Sequence, residues 1–558
     1  MPRFPSLPAL AATRLQWMFA TALWCSLVPN LPTLAAFSRA PSAGEGLSWL
    51  AFVGGGWLFV FAVSFALLAL VGAVFLGRTF KAAVVFLLLA ASILSYFTLF
   101  LGTQFDRTMV LNLLQTHQAE ALELVGPRLM AWVALTGILP AGLAWQVTLR
   151  PTTPWWRGAA GIALATVALV ALATAGVYAQ YPRYASATRN RAITFDTVAP
   201  WNLFAASIHL AASQWAAQTV RAPRGEDARQ AYLLKKPRLT FFLLGETARA
   251  QNQGLNGYAR DTTPRMKAAG GYYFPDTESC GTATAISVPC MFSGFGREAF
   301  SLRKGLANET LIDVLLRGGA QVWWRDNDSG CKGVCEKAEV IDLTGSSDPR
   351  WCTETASCFD EILLDGLEQR LSKVTRDTLV VLHLKGSHGP AYYKRYPPVF
   401  ERFAPACQSN DLAACDPAAL VNSYDNTILY TDHVVGESIA MLRRLNARFA
   451  TALLYVSDHG ESLGEGGLFL HGLPYALAPK EQTRVPMYAW VSPDFLKLEN
   501  WDARCMAEQT RVPRSHDNVY STILGLMEIE TAEYKGELDL FGMCDWGVNH
   551  PKPAGKSP

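Results

Sequence analysis

Long apolar runs fill roughly the first third of the chain, and short apolar and polar segments alternate through the rest. Five runs have the length of a membrane crossing: roughly Leu15–Phe37, Trp49–Leu76, Ala82–Phe100, Leu129–Leu149 and Gly158–Tyr178. Each meets the requirement of about 20 apolar residues for a helix to cross the hydrocarbon. The first also fits a signal peptide. Four further runs and no clear small-residue cleavage site favour an anchor. Between the third and fourth, at about 103–128, "TQFDRTMVLNLLQTHQAEALEL" sets apolar residues at helical spacing. That pattern predicts an amphipathic helix at a membrane surface.

After the fifth run the signal weakens. Residues 181–235 read as a bridge with some helix, and Tyr181, Tyr184 and Trp201 are interfacial anchors. From about Lys236 the period changes. "RLTFFLLG", "TLVVLHLKG" and "TALLYVSDHG" read as short buried strands, each closing on a polar residue or Gly. Helical stretches such as Ala419–Leu445 lie between them. Strands alternating with helices predict an α/β fold, a parallel sheet covered on both faces. In such sheets the ligand crevice lies at the carboxyl ends of the strands. The expected organisation is a transmembrane domain over 1–180, the bridge, and a catalytic domain over 236–558.

With 558 residues the chain exceeds one ordinary domain, and its formal charge of +2 gives no electrostatic case for a nucleic-acid partner. The distribution of cations says more. In the short connections Arg3, Arg14, Arg78, Lys81, Arg150 and Arg157 fall on one side, and Arg39, Arg107 and Arg128 on the other. This asymmetry puts the N-terminus inside and everything after about Gln180 outside, in the periplasm of a bacterium with two membranes.

Of eleven cysteines, Cys25 stands alone in the first apolar run. The other ten are Cys280, Cys290, Cys331, Cys335, Cys352, Cys358, Cys407, Cys415, Cys505 and Cys544. An even set confined to the exported part reads as a disulfide framework. The parsimonious pairing joins 280–290, 331–335, 352–358 and 407–415, with 505–544 by exclusion. Half of a zinc site is the other reading of Cys331 and Cys335, although no second pair has metal-ligand spacing.

The three strand ends carry the chemistry. Glu246 and Thr247 follow the first strand, Ser387 and His388 the second, and Asp458, His459 and Glu461 the third. A parallel sheet brings them to one edge, and carboxylates with histidine form a set suited to Zn²⁺. "SCGTATAISVPC" puts a threonine near the start of a helix inside a cystine ring. Helix N-termini favour phosphate-like anions. Threonine is a poor nucleophile unless a base or metal removes its proton. Alone, Thr284 would read as a helix cap. His117, His209, His383 and His433 read as structural or solvent-facing. His516 reads as the start of a helix packed on the sheet, and Arg484 as structural.

"GETARAQNQGLNGYARDTTP", "SCGTATAISVPCMFS", "WWRDNDSGCKGVC", "KGSHGPAYYKRYP" and "VSDHGESLGEGGLFLHGLPYALAP" closely resemble the bacterial lipid A phosphoethanolamine transferases, including the mobilised colistin-resistance enzymes. The resemblance covers nearly the whole chain. It implies a five-helix membrane domain followed by an α/β/α sandwich of alkaline-phosphatase/sulfatase type. It implies Thr284 as nucleophile, in preference to Thr247 or Thr282, and zinc held by Glu246, Thr284, Asp458 and His459. One zinc is expected to bind tightly, and the pattern allows a second, weaker one. His388 and His471 fall on the family's additional histidines. Ser329, Lys332 and Glu461 match positions associated with phosphoethanolamine. Asp328, where members often carry Asn, is suited to the ethanolamine ammonium or to capping a turn. Asn112, Thr116 and Glu120 match positions associated with the donor lipid.

The implied activity is transfer of phosphoethanolamine from phosphatidylethanolamine to a lipid A phosphate by a monomeric inner-membrane enzyme, with resistance to polymyxins as its consequence. Rival readings are the same donor chemistry on a core sugar or surface protein, an ester hydrolase, and a transporter or sensor. The spans contain essentially no ionisable residues, which argues against transport.

Overall fold

In hydrocarbon, backbone polar groups must be satisfied within their own segment, so apolar runs of this length fold as helices. The computed structural model describes residues 11–40, 43–116, 118–189, 198–208, 221–231, 236–354 and 357–544. His117 and His209 lie outside the described residues, as do parts of the bridge. By internal packing the chain divides into Met1–Val110 with Val125–Leu210, and Leu111–Leu124 with Ala211–Pro558.

The first unit holds helices α1 (Arg14–Leu27), α2 (Leu31–Arg39), α3 (Gly46–Val74), α4 (Gly77–Leu101), α5 (Pro127–Gln146) and α6 (Trp155–Ala179). Helices α3 to α6 are each long and apolar enough to cross a membrane. The first span, expected over Leu15–Phe37, is bent, with α1 and α2 meeting at 55°. Pro29 and Pro32 supply no backbone N–H to continue a helix. Between them the buried Asn30 donates to the carbonyls of Cys25 and Ala199, each at 2.8 Å, and accepts from the Ala199 N–H at 2.9 Å. Counting the bent pair as one span gives five among the described residues. Helix α5 carries a π turn, Ala134–Ile138, just before Pro140, and there the Thr136 and Ser92 hydroxyls meet at 2.7 Å.

The second unit is built on strands β1 (Arg238–Gly245), β2 (Tyr272–Phe274), β3 (Gln321–Asp326), β4 (Glu339–Asp342), β5 (Thr378–His383), β6 (Ala450–Ser457) and β7 (Met487–Val491). They form one sheet in the order β2-β7-β6-β1-β5-β3-β4. From β6 to β4 all neighbours are parallel, while β7 runs antiparallel to β6 and β2. The sheet is therefore mixed rather than wholly parallel as expected. Val456, near the carboxyl end of β6, is paired with Met487, the first residue of β7. The chain re-enters the sheet at the edge it left, without the long crossover a parallel return needs.

Residues of β1 alternate between two cores. Phe242 and Leu244 face α7 (Thr284–Ser293) and α9 (Asp517–Leu526), through Val288, Phe292 and Ile523. Leu239, Phe241 and Leu243 face α8 (Pro417–Leu445), through Val434, Ile439 and Leu442. A strand buried on both faces reads as a near-continuous apolar run, which is how "RLTFFLLG" appears after its opening arginine. Each such side chain contributes about 1.5–3 kcal/mol over leaving it in water. Disulfides join Cys280–Cys290, Cys331–Cys335, Cys352–Cys358, Cys407–Cys415 and Cys505–Cys544, the parsimonious pairing, and Cys25 is free and buried.

Candidate active site

Register alone assembles the site. Gly245 is paired with Ser457, and Leu244 with His383, so Glu246, Asp458 and the 384–388 turn leave the sheet side by side. Backbone bonds hold the turns together: Ser387 N–H to Glu246 O at 3.0 Å, and Asp458 N–H to Gly245 O at 3.0 Å. Gly386 has φ 51°, and a Cβ there would lie 2.6 Å from the Glu246 carbonyl oxygen, so the close approach of these turns requires glycine.

Thr284 is the first residue of α7. The cap position belongs to Ala283, so Thr284 does not spend its hydroxyl on the helix end. That hydroxyl lies 3.2 and 3.1 Å from the two Glu246 carboxylate oxygens and 3.4 Å from His459 Nε2. Its sequence neighbours are committed elsewhere. Thr282 Oγ1 donates to the Leu473 carbonyl at 2.6 Å. Thr247 Oγ1 donates to Glu246 Oε1 at 2.8 Å, and Thr247 N–H to Asp458 Oδ1 at 3.1 Å. His516, at the N-cap of α9, accepts from the Cys280 N–H at 3.0 Å and donates to the Ser457 carbonyl at 2.9 Å, tying the cystine loop to β6. Burial pushes its pKa down to about 3, so it stays neutral.

Glu246, Asp458 and His459 are fully buried, with one ligand-type atom from each within 4.8 Å of the others. Asp458 Oδ1 accepts from two backbone N–H groups, while Oδ2 is buried without a hydrogen-bond partner. His459 Nδ1–H donates to the Gly460 carbonyl at 2.9 Å, which fixes the tautomer and leaves Nε2 facing the carboxylates. Burial and the charge of Glu246 push the Asp458 carboxyl up to about 8. Two buried carboxylates with one histidine suit a divalent cation.

In a second group, Glu246, Asp328 and His383, one ligand-type atom from each likewise lies within 4.8 Å of the others. His383 is fully buried, which removes the solvent-facing reading. Its Nδ1 lies 2.9 Å from Asp326 Oδ2, and its Nε2 has no hydrogen-bond partner and lies 3.8 Å from Asp328 Oδ2. Burial opposes its protonation, but Asp326 and Asp328 raise its pKa to about 9. Asp328 accepts from Ser329 Oγ at 2.6 Å, and its Oδ1 is buried and unpartnered. Lys332 donates to the Ser329 carbonyl at 2.9 Å.

His471 is buried and His388 half-buried. Their rings are 5.5 Å apart, and His471 lies 4.2 Å from the His459 ring. His471 Nδ1 is 2.8 Å from Glu461 Oε2, and Tyr392 OH donates to Glu461 Oε1 at 2.5 Å. Both Glu461 oxygens are thus engaged, which makes it the group that orients His471. Burial pushes its carboxyl up to about 8. Tyr392, within "KGSHGPAYYKRYP", carries no sequence signal that distinguishes it from a core tyrosine. His433 lies 3.0 Å from Glu361, and Arg484 pairs with Asp276 at the surface. Asn112 and Thr116 belong to the 111–124 segment, where Thr116 Oγ1 donates to the Asn112 carbonyl at 2.7 Å. The side chain of Glu120 lies outside the described residues.

A buried threonine at a helix N-terminus, facing a cation-ready cluster at the carboxyl edge of an α/β sheet, suits phosphoryl or sulfuryl transfer, here in a chain that also carries membrane-length helices. The family model described as Sulfatase matches residues 238–529, and that described as Phosphoethanolamine transferase EptA/EptB matches 61–215. The chain is 37% identical to phosphoethanolamine transferase EptA of Escherichia coli K12 over 546 residues, 97% of this chain and 98% of that protein. It is 35% identical to phosphatidylethanolamine transferase Mcr-1 of Escherichia coli over 467 residues, 82% of this chain and 85% of that one. The solved integral membrane lipooligosaccharide phosphoethanolamine transferase A from Neisseria meningitidis matches with a TM-score of 0.91 and 34% identity, covering 96% of this chain and 100% of that one. This chain belongs to the phosphoethanolamine transferase family.

Proposed function

We propose that this protein transfers phosphoethanolamine from phosphatidylethanolamine to a phosphate of lipid A through a phosphoester on Thr284. The observation that carries the reading is the Thr284 hydroxyl, buried at the start of α7 against Glu246 and His459. Glu246, Thr284, Asp458 and His459 would hold zinc. When bound, that ion lowers the pKa of a coordinated hydroxyl and offsets charge on phosphoryl oxygens.

In the first half-reaction Thr284 Oγ loses its proton and bonds to the donor phosphorus, and the bond from phosphorus to the diacylglycerol oxygen breaks. In the second, a lipid A phosphate oxygen bonds to the same phosphorus and Thr284 Oγ leaves. The first N–H groups of α7, which have no partner within the helix, face the phosphoryl oxygens. His388 and His471 hand protons to and from the departing and arriving oxygens. Lys332 and Ser329 bind the phosphoethanolamine group, and the free Oδ1 of Asp328 accepts from its ammonium. The 236–558 domain works in the periplasm, anchored in the inner membrane, and the added amine weakens attraction of cationic peptides to the cell surface. The acceptor reading is supported by the meningococcal relative, which is named for lipooligosaccharide.

The test is intact-protein mass spectrometry after incubation with phosphatidylethanolamine. One phosphoethanolamine should appear on Thr284. Thr284→Ala should abolish adduct and turnover, and Thr284→Ser should keep part of both. An adduct on Thr247 or Thr282 would move the nucleophile. Mass spectrometry of lipid A from cells with and without the gene separates lipid A from a core sugar or protein acceptor.

A further inference from the structure

Residues 111–124 lie between two membrane spans in sequence, yet they cluster with the catalytic fold. Their seat on that fold is a buried ion pair. Arg395 Nη2 lies 2.5 Å from Glu123 Oε2, with side-chain exposures of 2% and 11%. Asn410 Nδ2 donates to the Glu123 carbonyl at 2.7 Å, and Asn410 Oδ1 accepts from Tyr393 OH at 3.2 Å. The same guanidinium uses its remaining edge on the catalytic side, where Arg395 Nε donates to the His388 carbonyl at 2.7 Å.

We propose that Arg395 is a positioning residue that couples the 111–124 segment, as the donor-facing wall, to the loop carrying His388. This rests on the function proposed above. The segment suits a lipid donor because Leu113, Leu114 and Leu122 are exposed on it at 52%, 68% and 61%, beside the polar Asn112 and Thr116. A planar guanidinium serves a carboxylate and a carbonyl at once along fixed directions, which a lysine ammonium at the same place does not. The pair is shielded from water, so removing one partner leaves the other charged and uncompensated. The His388 ring has a buried, unpartnered Nδ1, so its direction depends on the backbone that Arg395 holds. Glu123 acts on the wall alone, and Arg395 acts on the wall and on His388.

That asymmetry is the test. Full-length Glu123→Gln and Arg395→Lys are assayed with phosphatidylethanolamine in mixed micelles and with a water-soluble aryl phosphodiester of ethanolamine that has no acyl chains. Glu123→Gln should raise KM for the lipid roughly tenfold and leave the soluble donor within about twofold of the parent. Arg395→Lys should raise lipid KM similarly and also lower kcat roughly tenfold with both donors. Bound metal should match the parent in both variants. The proposal is overturned if Glu123→Gln matches the parent on both donors, if it loses both donors equally, or if Arg395→Lys leaves soluble-donor kcat unchanged. A parent protein that forms no adduct with either donor overturns the function itself, and this proposal with it.

Discussion

At the amino end of β1, the fully buried Arg238 meets Glu499 at 2.9 Å and Asp377 at 3.1 Å, and its backbone N–H donates to the same Asp377 at 2.8 Å. One strand length on, Glu246 enters an equally dry region with Asp458, His459, Asp328 and His383. Both ends of the sheet bury charge at considerable desolvation cost. At the first end a guanidinium answers the carboxylates. At the second, Asp458 Oδ2, Asp328 Oδ1 and His383 Nε2 are buried without hydrogen-bond partners. Buried polar groups are ordinarily satisfied, so a cluster of exceptions points to a site that awaits a ligand. On the proposed reading, the charges around Arg238 hold the fold and those around Glu246 hold the metal and substrate.

Asp458→Ala and His459→Ala should show the largest effect. Each removes a proposed ligand, and transfer should fall by roughly a thousandfold or more. Metal analysis should show loss of zinc, while thermal unfolding stays near the parent because the five disulfides and both cores remain. Zinc content near the parent level would place the ligands elsewhere. Arg238→Met is the reciprocal experiment. It leaves Asp377 and Glu499 buried without their cation and should destabilise the protein by about 3–5 kcal/mol, read from thermal unfolding. At saturating zinc, binding to the folded fraction should persist. A stable Arg238→Met protein that cannot bind zinc would collapse the distinction between the two ends.

A smaller effect is expected at Glu309, which lies at neither end. It accepts from Lys337 at 2.8 Å, Arg317 at 2.5 Å and the Arg224 N–H at 3.1 Å. Burial opposes its ionisation, but these donors bring its carboxyl down to about 2 from the usual 4.5. A depressed carboxyl stabilises the fold above its unfolded pKa and loses that contribution as pH falls through the folded value. Glu309→Gln should therefore cost about 1–2 kcal/mol at neutral pH, with the screening of the partly exposed Lys337 taken into account. The gap from the parent should narrow as pH falls from 4.5 towards 2, and chemical denaturation at several pH values would read it.

The amino end of β1 and the carboxyl end were not equally legible in the sequence. Glu246, Asp458 and His459 each follow an apolar strand pattern, so their convergence could be read from periodicity. His383 could not, because it is the last letter of the apolar run "TLVVLH", and its partners Asp326 and Asp328 come from the end of another strand and the turn after it. Arg238 likewise opens "RLTFFLLG" and looks like a surface residue until Asp377 and Glu499 surround it. Periodicity left Thr284 as a helix cap. Resemblance to a family singled it out, and the structure gives the cap position to Ala283. Hydropathy located the spans but not the bend at Asn30, since one polar residue barely changes an average over twenty. The disulfides were readable because four of the five join cysteines close in sequence.

Strand β1 is the central member of the sheet by position and the first of its strands in chain order. Its two neighbours, β5 and β6, begin only at Thr378 and Ala450. At ordinary rates of synthesis, the second edge of β1 waits about 10–40 s for its partner to be made. During that interval a largely apolar strand must be kept from pairing with other chains, and Asp458 and His459 do not yet exist. The nascent polypeptide therefore passes through a long stage in which it is already vulnerable to aggregation and still incapable of chemistry. Its yield in the cell should depend on how quickly residues 450–459 follow, and on what escorts β1 until they do.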